Sequence, residues 1–373
     1  MDNGGNRAAE GMDGIAERIR SAEDERKKLA AELRASKAQY AHALEKELVY
    51  PITLRAPEGS HSAQSGMEPL SRSAGKEGGV CAVDGGLLAQ EFHGFDLLLG
   101  RAVAVNFVYA DGKLASHAYH PSAAPEPLPN ALGGLDLREF AWHQSLFRLS
   151  TELGTAAEAI AKFKPKFLLL DGSVAPQIAD KPTGTSGLRE LYDEVIRKYK
   201  GLYELAAASK CALVGVIKDS RGKRFLEIAS KGNPQMERLS NTADTPFLNH
   251  LLQARERTFV FNYVSMPSHD PVIKDLDEWA GRVLAFYLKP SEEDRPLRVE
   301  FIEGTADHDE VAGVVAWLCS INSRYAYPAV LIEADMRAAL DKREMDRAYR
   351  SLFLKAGGSQ SMLKLRRDER PFR

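Results

Sequence analysis

Two aspartates in this chain each close a short apolar run and are each followed by glycine: Val80-Cys81-Ala82-Val83-Asp84-Gly85-Gly86 and Phe167-Leu168-Leu169-Leu170-Asp171-Gly172-Ser173. Such runs are too short for a free-standing helix and fit strands buried on both faces. If the two strands are neighbours, both carboxylates face one site. Glu152 stands 19 residues before Asp171, in a stretch of helical spacing, and a hairpin-like return of that helix would bring a third carboxylate over the strand ends. Three carboxylates without compensating cations repel one another in a partly dry site, and divalent metal relieves the conflict. Hard oxygen ligands with room for phosphate and water suit Mn²⁺ or Mg²⁺, as in two-ion displacement at a phosphodiester, where one ion activates water and the other stabilises the leaving oxygen. The competing use of an Asp-Gly is a plain turn, and that of Glu152 is a solvated helix face.

Further candidates surround this set. Lys218 follows the apolar run Cys211 to Ile217 and is placed to touch a scissile phosphate or to orient water. Arg221, Lys223, Arg224 and Lys231 form a local basic cluster that suits a phosphate backbone, with Phe225 as the one aromatic nearby. Asp335 is expected to open the last core helix, as its N-cap or as a fourth metal-site residue. The nine histidines make no HxxxH or HExxH pattern, and no GxxxxGK[ST] phosphate loop occurs. Cys81, Cys211 and Cys319 lie in apolar runs without a CxxC pair and read as buried thiols in a reducing compartment.

The 373 residues carry 50 Lys plus Arg against 52 Asp plus Glu, so no whole-chain basic excess advertises nucleic acid and any anion-binding face must be local. No apolar run approaches the ~18 residues of a membrane span, and the polar start of the chain lacks a signal peptide's apolar core. The expectation is a soluble, cytoplasmic protein.

These residues need elements to position them. Ile15 to Leu48 predicts one long amphipathic helix ending before Pro51, suited to packing on this chain or on a second copy. The Gly- and Ser-rich stretch 57–79 reads as a mobile linker after an N-terminal helical unit at 1–56; a core unit spans 80–355 and a basic tail 356–373. Within the core come the Asp84 strand and a strand from Leu97 to Tyr109. A hairpin signal at Asp111-Gly112 follows, then an antiparallel return, a helix from Leu137 to Phe163 and the Asp171 strand. Leu188 to Ser209 predicts another helix, and Trp279 to Leu288 and Leu297 to Ile302 further strands. Asp309 to Ser323 predicts a helix, and another runs from Asp335 to about Leu354. An antiparallel meander, a helix, then a parallel strand is the order of a ribonuclease H-like core: an α/β fold with a mixed sheet flanked by helices, a long N-terminal helix and inserted elements.

The Val83-Asp84-Gly85 strand end, the helix glutamate, Leu170-Asp171-Gly172-Ser173, Ile217-Lys218-Asp219 and the motif from Tyr327-Pro328 to Ala334-Asp335 together resemble the NurA nucleases, prokaryotic enzymes of DNA-end resection. The family pattern has His where this chain has Asp335, which alters the charge of the site. The resemblance implies Mn²⁺-dependent 5′-to-3′ exonuclease activity on DNA, endonuclease activity on single strands, and a homodimer working with a hexameric HerA-type ATPase in repair of double-strand breaks. It also implies that Asp84, Glu152, Asp171 and Asp335 hold the metal and that Lys218 assists. The residues alone leave open an actin-like or sugar-kinase-type ATPase, which needs two such halves, and a non-catalytic clamp for a DNA motor.

Overall fold

The computed structural model describes residues 11–35, 79–110, 113–184, 187–231, 235–239 and 242–368. The linker expected at 57–79, apart from Gly79, and the last turns expected of the N-terminal helix lie outside the described residues, as do Asp111 and Gly112.

Apolar alternation drives a single mixed sheet. β1 (Val80–Glu91) pairs antiparallel with β2 (Asp96–Ala110), which also pairs with β3 (Lys113–His120) and β4 (Leu128–Leu132). α2 (Leu137–Phe163) follows. It is numbered after the N-terminal α1 (Met12–Ala35). Asp136 caps α2, accepting from the backbone N–H groups of Arg138 and Glu139 while Glu139 returns to the Asp136 N–H; at the other end Lys164 turns left-handed at φ 47°. The chain then re-enters the sheet as β5 (Phe167–Asp171), parallel to β1, and through α3 (Arg189–Ala208) as β6 (Ala212–Ile217), parallel to β5. The later elements are α4 (Arg224–Ser230), α5 (Asp244–Leu251), β7 (Glu256–Arg257), β8 (Phe261–Asn262), β9 (Val283–Lys289) and β10 (Leu297–Ile302). Three helices close the fold: α6 (His308–Leu318), α7 (Ala329–Ala338) and α8 (Lys342–Lys355). Strand order is β3-β2-β1-β5-β6-β10-β9-β7, with β4 on β2 and β8 on β9. Among the described residues there is this one sheet, not the two halves that an actin-like ATPase requires.

The period of two sorts side chains to two layers. Ala82, Leu169, Val214 and Val299 face α6 and α7. Cys81, Val83, Leu168, Leu170 and Leu213 face α2 and α3. A third layer holds Phe225, Phe247 and Phe259, and there α1 docks through Leu29, Ala30 and Leu33. Arg34 fixes that docking: its guanidinium donates to both carboxylate oxygens of buried Glu256, at 2.9 and 2.8 Å, and to the Leu251 carbonyl at 2.8 Å. Arg34→Ala is expected to lower stability by about 2 kcal/mol, because a buried carboxylate loses a charged donor; urea unfolding at constant pH measures it, and an unchanged midpoint would refute it.

Several expectations are corrected. β1 does not stop at Gly86 but runs to Glu91, so Asp84-Gly85 is not a turn. The strand expected from Trp279 begins at Val283, because Asp277 at φ 53° and a 3₁₀ turn through Trp279 precede it. The helix expected to Ser323 ends at Leu318 and passes into a 3₁₀ turn at Cys319–Ile321. Asp335 does not open a helix: α7 starts after Pro328, Asp335 lies inside it, and a break before Asp341 lets that residue cap α8 with a capping box to Glu344.

Candidate metal centre

Register brings the first two carboxylates together. The last β1–β5 pair is Val83 with Leu170, so Asp84 and Asp171 are the next residues on adjacent parallel strands. By alternation both project to the α7 face, two positions on from Ala82 and Leu169. α7 crosses there and supplies Asp335. One carboxylate oxygen from each of Asp84, Asp171 and Asp335 lies within 4.8 Å of the other two. Asp84 is 8% exposed while Asp335 is exposed, so the cluster has a dry floor and an open mouth.

Glu152 reaches the same region from the opposite layer. A Cβ on Gly85 would collide with the Glu152 carboxylate, so glycine at that position leaves the space Glu152 occupies. Its carboxylate accepts from Arg148 at 2.8 Å and stands outside the three-aspartate cluster. Arg148, Glu152, Asp171, Ser173, Gln177 and Asp180 line a cavity of about 100 Å³ beside it.

Burial, then the charges of Asp171 and Glu152, push the Asp84 carboxyl up to about 8. Burial likewise raises Glu152 to about 7, although Arg148 pulls it down. Asp171 is held differently. Its Oδ1 accepts from the Tyr327 hydroxyl at 2.9 Å and its Oδ2 from Lys218 Nζ at 3.0 Å, while the Lys218 ammonium lies 4.4 Å from the centre of the Tyr327 ring. Burial works against the Lys218 charge, but the Asp171 hydrogen bond and charge outweigh it and raise the Lys218 pKa.

The turn after Asp171 is fixed from below. Gly172 adopts φ +135°, which favours glycine. It passes over Gly215 of β6 so closely that a Cβ there would stand 2.5 Å from the Gly172 carbonyl oxygen. Buried Glu300 accepts from Ser173 Oγ at 2.5 Å, from the Val174 N–H at 3.3 Å and from Arg298 Nε at 2.7 Å.

Tyr327, Arg148 and Glu300 were not singled out from sequence as site residues. The Tyr-Pro before α7 marked the first, and a glutamate inside the apolar run Leu297 to Ile302 was the only sign of the last. The expected basic cluster is partly corrected: Arg221, Lys223 and Lys231 are exposed, but Arg224 is 7% exposed, with Nη1 2.9 Å from Glu227 and Nε directed at the Asn262 carbonyl. Its helix buries that face because Phe225 stacks on Phe259 with ring centres 4.9 Å apart.

Hard oxygens, a surplus of negative charge and a carboxyl driven toward its neutral form together fit a divalent cation. The sign of the pH dependence follows. Folded Asp84 keeps its proton between the ordinary 3.8 and about 8 while the unfolded chain does not, so metal-free stability falls as pH rises through that window. Metal binding needs the carboxylate, so the rise in Tm on adding Mn²⁺ is expected to grow from about pH 6 to about pH 8. Thermal unfolding with EDTA and with Mn²⁺ across that range tests both, and two flat profiles would refute them.

A family model described as the NurA domain matches residues 78–340. No curated protein matches in sequence. In architecture the chain is similar to the NurA nuclease from Sulfolobus solfataricus, at TM-score 0.52 and 16% identity over 88% of this chain and 96% of that one. It is similar also to NurA crystallised with manganese (TM-score 0.52, 11% identity, 89% and 96% covered). A further likeness is to NurA bound to dAMP and manganese (TM-score 0.54, 12% identity, 95% and 100% covered).

Proposed function

This chain belongs to the NurA family, and on that premise we propose that it is a divalent-metal-dependent DNA nuclease. The observation that carries the proposal is the convergence of Asp84, Asp171 and Asp335 within 4.8 Å of one another, beside a lysine. These three would hold the cation, with Glu152 at the margin for a second ion. When bound, the metal acidifies a water and offsets charge on the phosphate. Tyr327 and Lys218 orient the Asp171 carboxylate, and Lys218 remains charged to meet a phosphate oxygen. Glu152, raised to about 7, is suited to take and return a proton near neutral pH.

The wider assignment follows family membership and is part of the same proposal. It comprises Mn²⁺ or Mg²⁺ as the metal, two ions, 5′-to-3′ digestion with single-strand endonuclease activity, a homodimer, cooperation with a HerA-type hexameric ATPase in end resection, and a cytoplasmic location. The buried thiols of Cys81, Cys211 and Cys319 support the last, and no described helix is long and apolar enough to cross a membrane. Exposed Arg221, Lys223 and Lys231 would contact DNA phosphates. End-labelled single- and double-stranded DNA, incubated with Mn²⁺, Mg²⁺ or EDTA and with or without the ATPase, is the test. Cleavage that needs metal is expected; its absence in every condition would overturn the reading.

A further inference from the structure

The chain's near-neutral total hides a charge asymmetry: residues 341–373 carry 10 Lys plus Arg against 5 Asp plus Glu, whereas residues 1–340 carry 40 against 47. This basic segment lies beyond the region that matches the family, which ends at 340. The connection that leads from α7 into α8 packs beside the metal centre. Gly86, two residues after Asp84, packs so tightly on the Ala338 carbonyl that a Cβ there would collide with it. Arg101, the register partner of Gly86, donates to the Ala339 carbonyl at 2.9 Å and pairs with Glu344. α8 seats Met345, Ala348 and Tyr349 against Phe92, Leu97 and Leu99. Arg343, Arg347 and Arg350 follow at i, i+4 and i+7, one exposed stripe opposite that buried side, about 10 Å long at 1.5 Å per residue. Arg343 and Arg350 form no ion pair among the described residues, and Arg347 approaches only Glu344 at 4.0 Å, a carboxylate that Arg101 already engages.

We propose that the arginine stripe of α8 is a docking surface for the phosphate backbone of single-stranded DNA, holding the strand beside the metal centre. The proposal rests on the nuclease reading above. Guanidinium groups spaced along one helix face recognise a polyanion without reading its bases, and the chain enters that helix from Ala338 and Ala339, which pack on Gly86 and Arg101 close to Asp84, so a strand leaving the stripe at its Arg343 end is directed toward the carboxylates.

The triple variant Arg343→Gln, Arg347→Gln, Arg350→Gln tests this. Binding of fluorescein-labelled oligo(dT) in EDTA is followed by anisotropy against salt, and Mn²⁺-dependent hydrolysis of thymidine 5′-p-nitrophenyl phosphate reports the metal centre without any strand. Three lost phosphate contacts should reduce the salt slope by about 2, removing about twentyfold of the affinity drop between about 50 and 200 mM salt. Ester hydrolysis should stay at the wild-type rate. A control with Arg189→Gln, Arg197→Gln and Lys210→Gln, at and just after α3, has the same net charge and should bind as wild type. Unchanged DNA binding in the stripe variant, equal loss in the control, or loss of ester hydrolysis in the stripe variant would each overturn the proposal. A wild-type protein that neither binds oligo(dT) nor hydrolyses the ester would overturn the nuclease reading and this extension together.

Discussion

Asp84→Asn is expected to cut metal-dependent DNA cleavage about 10³-fold or more while making the metal-free protein more stable at about pH 8. Both effects come from burial. The carboxylate sits 8% exposed beside Asp171 and Glu152, and its pKa of about 8 records what ionising it there costs. An amide of the same shape keeps the Oδ1 acceptor for the Gly85 N–H, at 2.8 Å, and removes the repulsion. It also removes a charged metal ligand. Asp171→Asn should lose as much activity but lower stability, because Lys218 and Tyr327 both bond to that carboxylate. Cleavage assays and thermal unfolding of the two variants decide the matter. Wild-type cleavage by a folded Asp84→Asn protein would dismiss the metal assignment.

Arg298→Met should be the most destabilising single change outside the aspartates, costing about 3–5 kcal/mol, because it leaves the 2%-exposed Glu300 carboxylate without its guanidinium. Removing both charges with Arg298→Met and Glu300→Leu should restore most of that stability. It should not spare the metal site. Glu300 also holds Ser173 Oγ and the Val174 N–H, immediately after Asp171, so the double variant, which lacks that carboxylate, is expected to bind Mn²⁺ about 10- to 100-fold more weakly. Urea midpoints together with Mn²⁺ titrations separate the two effects. An Arg298→Met midpoint equal to wild type, or undiminished Mn²⁺ affinity in the double variant, would show that the buried pair does not support the site.

Local patterns in the chain determined the element types and several boundaries. The helix expected from Leu137 to Phe163 and the strand from Leu297 to Ile302 form over those residues, because periodicity and capping act within a few turns. The two Asp-Gly positions were legible as candidates for the same reason: each follows an apolar run that reads as a buried strand, where a charge needs a partner. What only the tertiary structure decided was which groups meet. Asp84 and Asp171 share a cluster because β1 and β5 pair in one register, and a slip of one residue would turn one carboxylate to the α2 layer. Asp335 joins them from inside α7, Tyr327 reaches Asp171 from 156 residues away, and Glu300 grips the turn behind it from 127 away. Arg224 moved the other way, from an expected DNA contact to a buried side chain paired with Glu227. Sequence neighbours act through backbone geometry that each residue carries with it. Contacts between distant segments depend on strand order and layer packing, which no local spacing encodes.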